Sequence, residues 1–147
     1  MATPDFQWLR MRITEERERR EREALILERL PIATSDLLEN LTSCIAAYNE
    51  AFGADLVDMR HDPPHYYISV RDFECGQWLD RAQIEIFADP AVPGFQIDRA
   101  GAQLVIEVNV LTGDKVIYRD RERDEYLTME ELTRRILDRS FFPKLGE

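Results

Sequence analysis

Histidine, cysteine and carboxylate supply most active sites, and this chain uses the first two sparingly. Its only histidines, His61 and His65, bracket Asp62-Pro63-Pro64, with Asp58 just upstream. Imidazole and carboxylate are the right ligand types for zinc. The two prolines, however, forbid the helix that would stack positions 61 and 65 on one face. The stretch therefore reads as a polar loop leading into a strand, and no metal is expected. A cysteine nucleophile needs a neighbouring base or cation to hold it ionised. Cys44 falls on the apolar face of a helix and is expected to be buried and inert. Cys75 precedes Gly76 in a turn, and nothing beside it marks it as activated. Paired carboxylates mean little among 29 acidic residues, and no Gly-rich phosphate loop, CxxC pair or nucleophile elbow is present. These residues point away from catalysis and toward a protein without a cofactor.

Size and charge narrow the field further. A chain of 147 residues, 44% apolar and 10% aromatic, can build one real core. Residues 1–29 hold seven acids and seven bases, so the net charge of −10 belongs wholly to residues 30–147. So acidic a body repels phosphate backbones, and nucleic acid is not an expected partner. No stretch approaches the roughly 20 apolar residues of a membrane span. With no apolar run at the N-terminus, the two thiols are expected to stay reduced in the cytoplasm.

The elements that position these residues fall into two parts, a charged arm over 1–30 and a single α+β domain over 31–147. Thr3 before Pro4 resembles a helix N-cap with proline at the first helical position. The pattern then runs helically to Leu30, where Pro31 is expected to stop it. From Thr14 to Glu23 this helix has no apolar side chain. Pairs at four-residue spacing, Glu15–Arg19, Glu16–Arg20 and Glu18–Arg22, can hold such a helix in water at about 0.2–0.5 kcal/mol each. They cannot dock it. A second helix is expected after Pro31, capped near Thr34, Ser35 or Asp36. Its Leu37, Leu38, Leu41, Cys44, Ile45, Tyr48 and Phe52 share one face, and Gly53 ends it.

Beyond His65 the apolar period changes to two. Strands are expected at 66–71, 82–88, 95–98, 103–110 and 115–119, with a bulge or short turn somewhere in 72–80. Thr128 and Glu131 form a capping box for a last helix, with Leu127 and Leu132 at the staple positions. Leu132, Ile136 and Leu137 then point inward. The expected fold is α+β: a long N-terminal helix, a second amphipathic helix, an antiparallel meander of about five strands, and a C-terminal helix on one sheet face. Ile68, Val70, Ile84, Ile86, Leu104, Ile106, Val108, Val110, Val116 and Tyr118 should form the covered face.

The leading functional reading is a non-catalytic protein-interaction or self-assembly module. Phe6, Leu9, Ile13, Leu25 and Ile26 at the ends of the arm would dock on a partner protein or a second copy. Antiparallel pairing of two arms could match Glu to Arg along their lengths. Tyr67, Phe87, Val105 and Ile117 would extend the contact on the outer sheet face. The rival reading is a ligand-binding or enzymatic pocket between sheet and helices, lined by Tyr66, Trp78, Phe95 and Tyr118, with polarity from Glu85, Glu107 or His65. The sequence leaves open whether the arm projects or lies across the body.

Overall fold

The computed structural model describes residues 3–99, 101–113 and 115–145. Its first element is one helix, α1 (Gln7–Phe52), of 46 residues, about 69 Å long at 1.5 Å per residue. The expected break at Pro31 is absent, because Pro31 lies inside α1. A proline in a helix interior loses a backbone hydrogen bond and crowds the carbonyl four residues back, at a cost of about 3 kcal/mol. Packing around it outweighs that cost. Leu30, Ala33, Thr34 and Leu37 are all buried, and full burial of one leucine is worth about 1.5–3 kcal/mol. Thr34, Ser35 and Asp36 are consequently mid-helix residues and cap nothing; the Thr34 hydroxyl instead donates back to the Leu30 carbonyl (2.8 Å).

The start of α1 also differs from expectation. Thr3 and Pro4 lie outside it, and Phe6 precedes its first turn in a left-handed conformation (φ 49°, ψ 41°) with no side-chain cap. Its end agrees: Gly53, at φ 143°, donates its N–H to the Asn49 carbonyl (2.9 Å). Leu37, Leu41 and Ile45 are buried, whereas Phe52 is exposed, with its ring against Tyr48 and Phe142.

Seven strands follow: β1 (Val57–Asp62), β2 (His65–Glu74), β3 (Gln77–Asp89), β4 (Gly94–Arg99), β5 (Ala102–Leu111), β6 (Lys115–Asp120) and β7 (Glu125–Leu127). They pair in chain order, each antiparallel to the next. Helix α2 (Met129–Phe141) completes an α+β fold. Two strands escaped the sequence pattern. In β1 only Val57 is buried, so no alternation marks it, and His61 and Asp62 belong to this strand and not to a loop. β7 has only three residues. The uncertain 72–80 segment holds the short turn expected of it, where Cys75 and Gly76 join β2 to β3, and the register shift falls just before it, between Val70 and Arg71. Both turn residues have positive φ (52° and 77°), as the tightest hairpins require.

The core lies between one sheet face and the two helices, joining Leu37 and Leu41 of α1 and Leu132 and Ile136 of α2 to Ile68, Ile84, Ile97 and Ile106. Val110 and Val116, expected on this face, are only half-buried near the end of the β5–β6 hairpin. The capping box is complete: Glu131 N–H donates to the Thr128 hydroxyl (3.1 Å) and Thr128 N–H to the Glu131 carboxylate (3.2 Å).

Two arginines lock the layers together. Arg81 of β3 donates to the Tyr48 hydroxyl (3.3 Å) and to the Ser140 and Phe141 carbonyls (3.0 and 3.2 Å). It thereby satisfies carbonyls that the end of α2 leaves without helical partners. Arg135 of α2 reaches the buried Asp120 carboxylate (2.6 Å), which also accepts the Glu122 and Arg123 N–H groups. A buried carboxylate needs this many donors.

Candidate interaction surface

The N-terminal part of α1 leaves the body. Residues 3–24 are exposed, apart from Glu16, which is half-buried under its arginine neighbours, and the first fully buried residue of α1 is Leu30. From Thr14 to Glu23 the helix has no apolar face to bury, so it is not drawn down onto the sheet along this stretch. Its tip nevertheless carries large apolar side chains: Trp8 is 66% exposed, Met11 58% and Phe6 55%, with Leu9 and Ile13 exposed beside them. Leu25 and Ile26 are half-buried where the arm meets the body, and Leu27 is exposed.

The polar middle is held by ion pairs within the helix. Arg19 bridges Glu16 (2.8 Å) and Glu23 (2.6 Å), Arg20 also reaches Glu16 (3.1 Å), and Arg12 reaches Glu15 (2.8 Å). Of the three expected pairs, Glu16–Arg20 forms. Glu15 turns to Arg12 in place of Arg19, and no Glu18–Arg22 pair occurs among the described residues. The hydrogen bonds from Arg19 and then Arg20 hold the Glu16 carboxyl down at about 2. Glu16 therefore keeps its full negative charge at any physiological pH.

The outer sheet face is of a different kind. Tyr67, Phe87, Val105 and Ile117 are half-buried on it. Phe87 stacks on His65 (ring centres 4.7 Å apart), His65 lies 3.2 Å from Glu85, and Arg60 covers Tyr67 (5.5 Å). Glu107 accepts from Arg119 (3.1 Å) and Arg121 (2.7 Å). These are ordinary cross-strand pairs with their polar groups satisfied.

The seven candidate pocket residues do not converge. Tyr66, Phe95 and Tyr118 are buried in the core, and burial pushes the Tyr118 hydroxyl up to about 12. Trp78 is exposed near the β2–β3 turn, against Phe73 and under the Arg71 guanidinium (4.6 Å). Glu85, Glu107 and His65 occupy the opposite sheet face. Alternation assigns a face but not the curvature that would bring groups together, so sequence reasoning could not separate pocket from core. A cleft of about 430 Å³ does exist, between the end of α1 and α2, walled by Tyr48, Phe52, Leu137, Phe141 and Phe142 with Glu130, Arg134 and Asp138 at its edge.

The groups that could do covalent or metal chemistry stay apart. Cys44 is half-buried and not sealed in the core as expected, Cys75 is exposed, and both are free thiols. Among the described residues no three His, Cys, Asp or Glu side chains are grouped as a metal site would need, and no helix is long and apolar enough to cross a membrane. Sequence reasoning named Phe6, Leu9 and Ile13 but missed Trp8, Met11 and Leu27. Their exposure follows from the arm leaving the body, one of the two alternatives the sequence left open. No protein-family model, no curated protein and no solved structure matches the chain.

Proposed function

We propose that this protein is a non-catalytic interaction module whose acidic α+β body carries a projecting helical arm as its docking element. One observation carries the reading: residues 3–24 touch so little of the body that Trp8, Met11 and Phe6 are more than half exposed. Side chains of this size contribute most when buried in an interface, and Trp is among the residues most enriched there. The two free thiols support a reducing, cytoplasmic setting, and the net charge of −10 speaks for protein and against nucleic acid as partner.

The test is the mass of the assembly, measured on purified protein by light scattering and in cell extract by native electrophoresis, for the full chain and for one lacking residues 1–29. The full chain should run above its 17.3 kDa in at least one setting, and the shortened chain at monomer mass in both. A shortened chain that keeps the assembly overturns the reading, and so does a full chain that is monomeric in both. The cleft beside Tyr48 favours a second reading, small-ligand binding, which predicts a rise in melting temperature with an apolar metabolite.

A further inference from the structure

The buried stripe of α1 does not stop where the body stops. Leu41, Leu37, Thr34 and Leu30 face the core, and at the same three- and four-residue spacing the line continues through Leu27, Glu23, Arg19, Glu16, Arg12 and Trp8. Past Leu30, toward the N-terminus, the residues of this stripe are exposed, apart from the half-buried Glu16. Its composition has an internal symmetry. Turn the arm end for end about an axis between Arg17 and Glu18, and Arg12 exchanges with Glu23, Glu15 with Arg20, Glu16 with Arg19 and Arg17 with Glu18. Trp8 likewise exchanges with Leu27 and Leu9 with Ile26. Every base falls where an acid was, or on an uncharged residue; Met11 falls on Ala24, while Phe6, Ile13 and Leu25 fall opposite Arg29, Arg22 and Arg10.

We infer that the partner of the arm is a second copy of this chain, paired antiparallel about a two-fold axis between Arg17 and Glu18. The proposal rests on the interaction reading above and names its occupant. Charge decides the occupant: seven acids and seven bases in residues 1–29 make the arm neutral overall, so a uniformly basic or acidic partner would repel half of it. Its own inverted copy repels none. Charge also fixes the register. Sliding by one turn sets Arg12 against Arg19 in one direction and Glu16 against Glu23 in the other, and parallel pairing sets every charge against itself. Like charges in contact across an interface are strongly disfavoured. Each arginine has five donors in a fixed fork, so Arg19 can keep Glu23 of its own helix while reaching Glu16 of the other. Trp8 and Leu9 of one arm then cover Leu27 and Ile26 of the other, at both ends of a polar centre, and the two bodies lie at opposite ends of the pair.

The test uses the full-length protein and two charge-altered forms. Arg12→Glu with Arg19→Glu makes the stripe wholly acidic, and Glu16→Arg with Glu23→Arg makes it wholly basic. Each alone should dimerise at least about 100-fold more weakly than the natural chain, and an equimolar mixture should recover a dimer near twice 17.3 kDa. Recovery on mixing keeps the test informative even where one variant's arm loses helicity alone. Direction is read from spin labels on Gln7→Cys or Thr14→Cys, in chains with Cys44→Ala and Cys75→Ala. Antiparallel pairing sets the Gln7 labels about 32 Å apart along the axis and the Thr14 labels about 10 Å apart; parallel pairing makes the two equal and short. Equal distances, or dimers that survive either charge alteration alone, overturn the proposal. So does a natural chain that is monomeric when purified; if that chain is still assembled in extract through its arm, the second copy is wrong as the occupant and the interaction reading stands.

Discussion

Replacing Pro31 by alanine should strengthen the protein, and the size of the gain reports whether the arm is continuous with the body. Pro31 lacks the N–H that would bond the Leu27 carbonyl, and its ring crowds that same group. Pro31 and Ile32 are both exposed, so the substitution removes little packing and acts on the backbone alone. A helix-interior proline costs about 3 kcal/mol relative to alanine. Continuity is visible at two amides, those of Ile32 and Ala33, which reach the carbonyls of residues 28 and 29 only if the helix passes through position 31. In the natural protein these amides should exchange slowly with solvent. In Pro31→Ala the opening that exposes them should be rarer by about 100-fold, since each 1.4 kcal/mol is tenfold, and the melting temperature should rise by about 6 °C or more. Hydrogen exchange read by NMR or mass spectrometry measures the first effect, and a thermal scan the second. If neither changes, Pro31 occupies the first position of a separate helix, where it costs nothing. The arm would then hang from a hinge, and every argument from its fixed direction would fail.

Three further outcomes follow from the packing and the charges. Arg81→Met keeps the aliphatic stem but orphans the Ser140 and Phe141 carbonyls; urea titration should show a loss of about 2–3 kcal/mol, while Arg134→Met, at an exposed pair of 3.7 Å, should change little. Gly94→Ala would place a methyl 1.9 Å from the Ile106 carbonyl oxygen; because β4 and β5 would have to separate to admit it, the loss should reach about 3 kcal/mol, and a midpoint within error of the natural protein would refute that close approach. Glu16 ionises at about 2 instead of 4.5, so its support of the arm is complete above pH 4.5 and disappears as the pH falls toward 2. Circular dichroism should show helix loss in that window for the full chain and not for one lacking residues 1–29.

What the sequence revealed follows the range of the forces involved. α2 was readable because its determinants are local: a reciprocal cap at Thr128 and Glu131, a staple of Leu127 with Leu132, and an apolar stripe of period 3.6. The central strands were readable because buried residues such as Ile68, Ile84 and Ile106 recur at a period of two with Val70, Ile86 and Val108. Pro31 was misread because a local rule met a tertiary force, the burial of Leu30, Ala33 and Leu37 around it, and the tertiary force prevailed. β1 was invisible because an edge strand with one buried residue has no pattern to show. The Cys75-Gly76 turn was legible from its glycine alone, although it lacks the Asn-Gly or Asp-Gly pair that usually announces such a hairpin. At the site itself, the polar stretch from Thr14 to Glu23 showed that its charge pairs alone could not dock the arm, and left open whether the apolar ends would. The exposure of Trp8 and Met11 depended on where the body ends, a matter of three dimensions.

One helix serves both as the arm and as a wall of the core, and this gives the molecule a defined reach. From Leu30, where the body takes hold, to Trp8 near the tip is 22 residues, about 33 Å of helix. The buried positions Leu37, Leu41 and Ile45 fix the rotation of α1 about its own axis, so they also fix the bearing of Trp8 at the far end. A one-residue insertion between Leu30 and Glu23 would lengthen the arm by only about 1.5 Å but swing its contacting side by about 100°. Phase, more than length, is what this helix keeps: the body acts as the protractor for a contact made some 33 Å away.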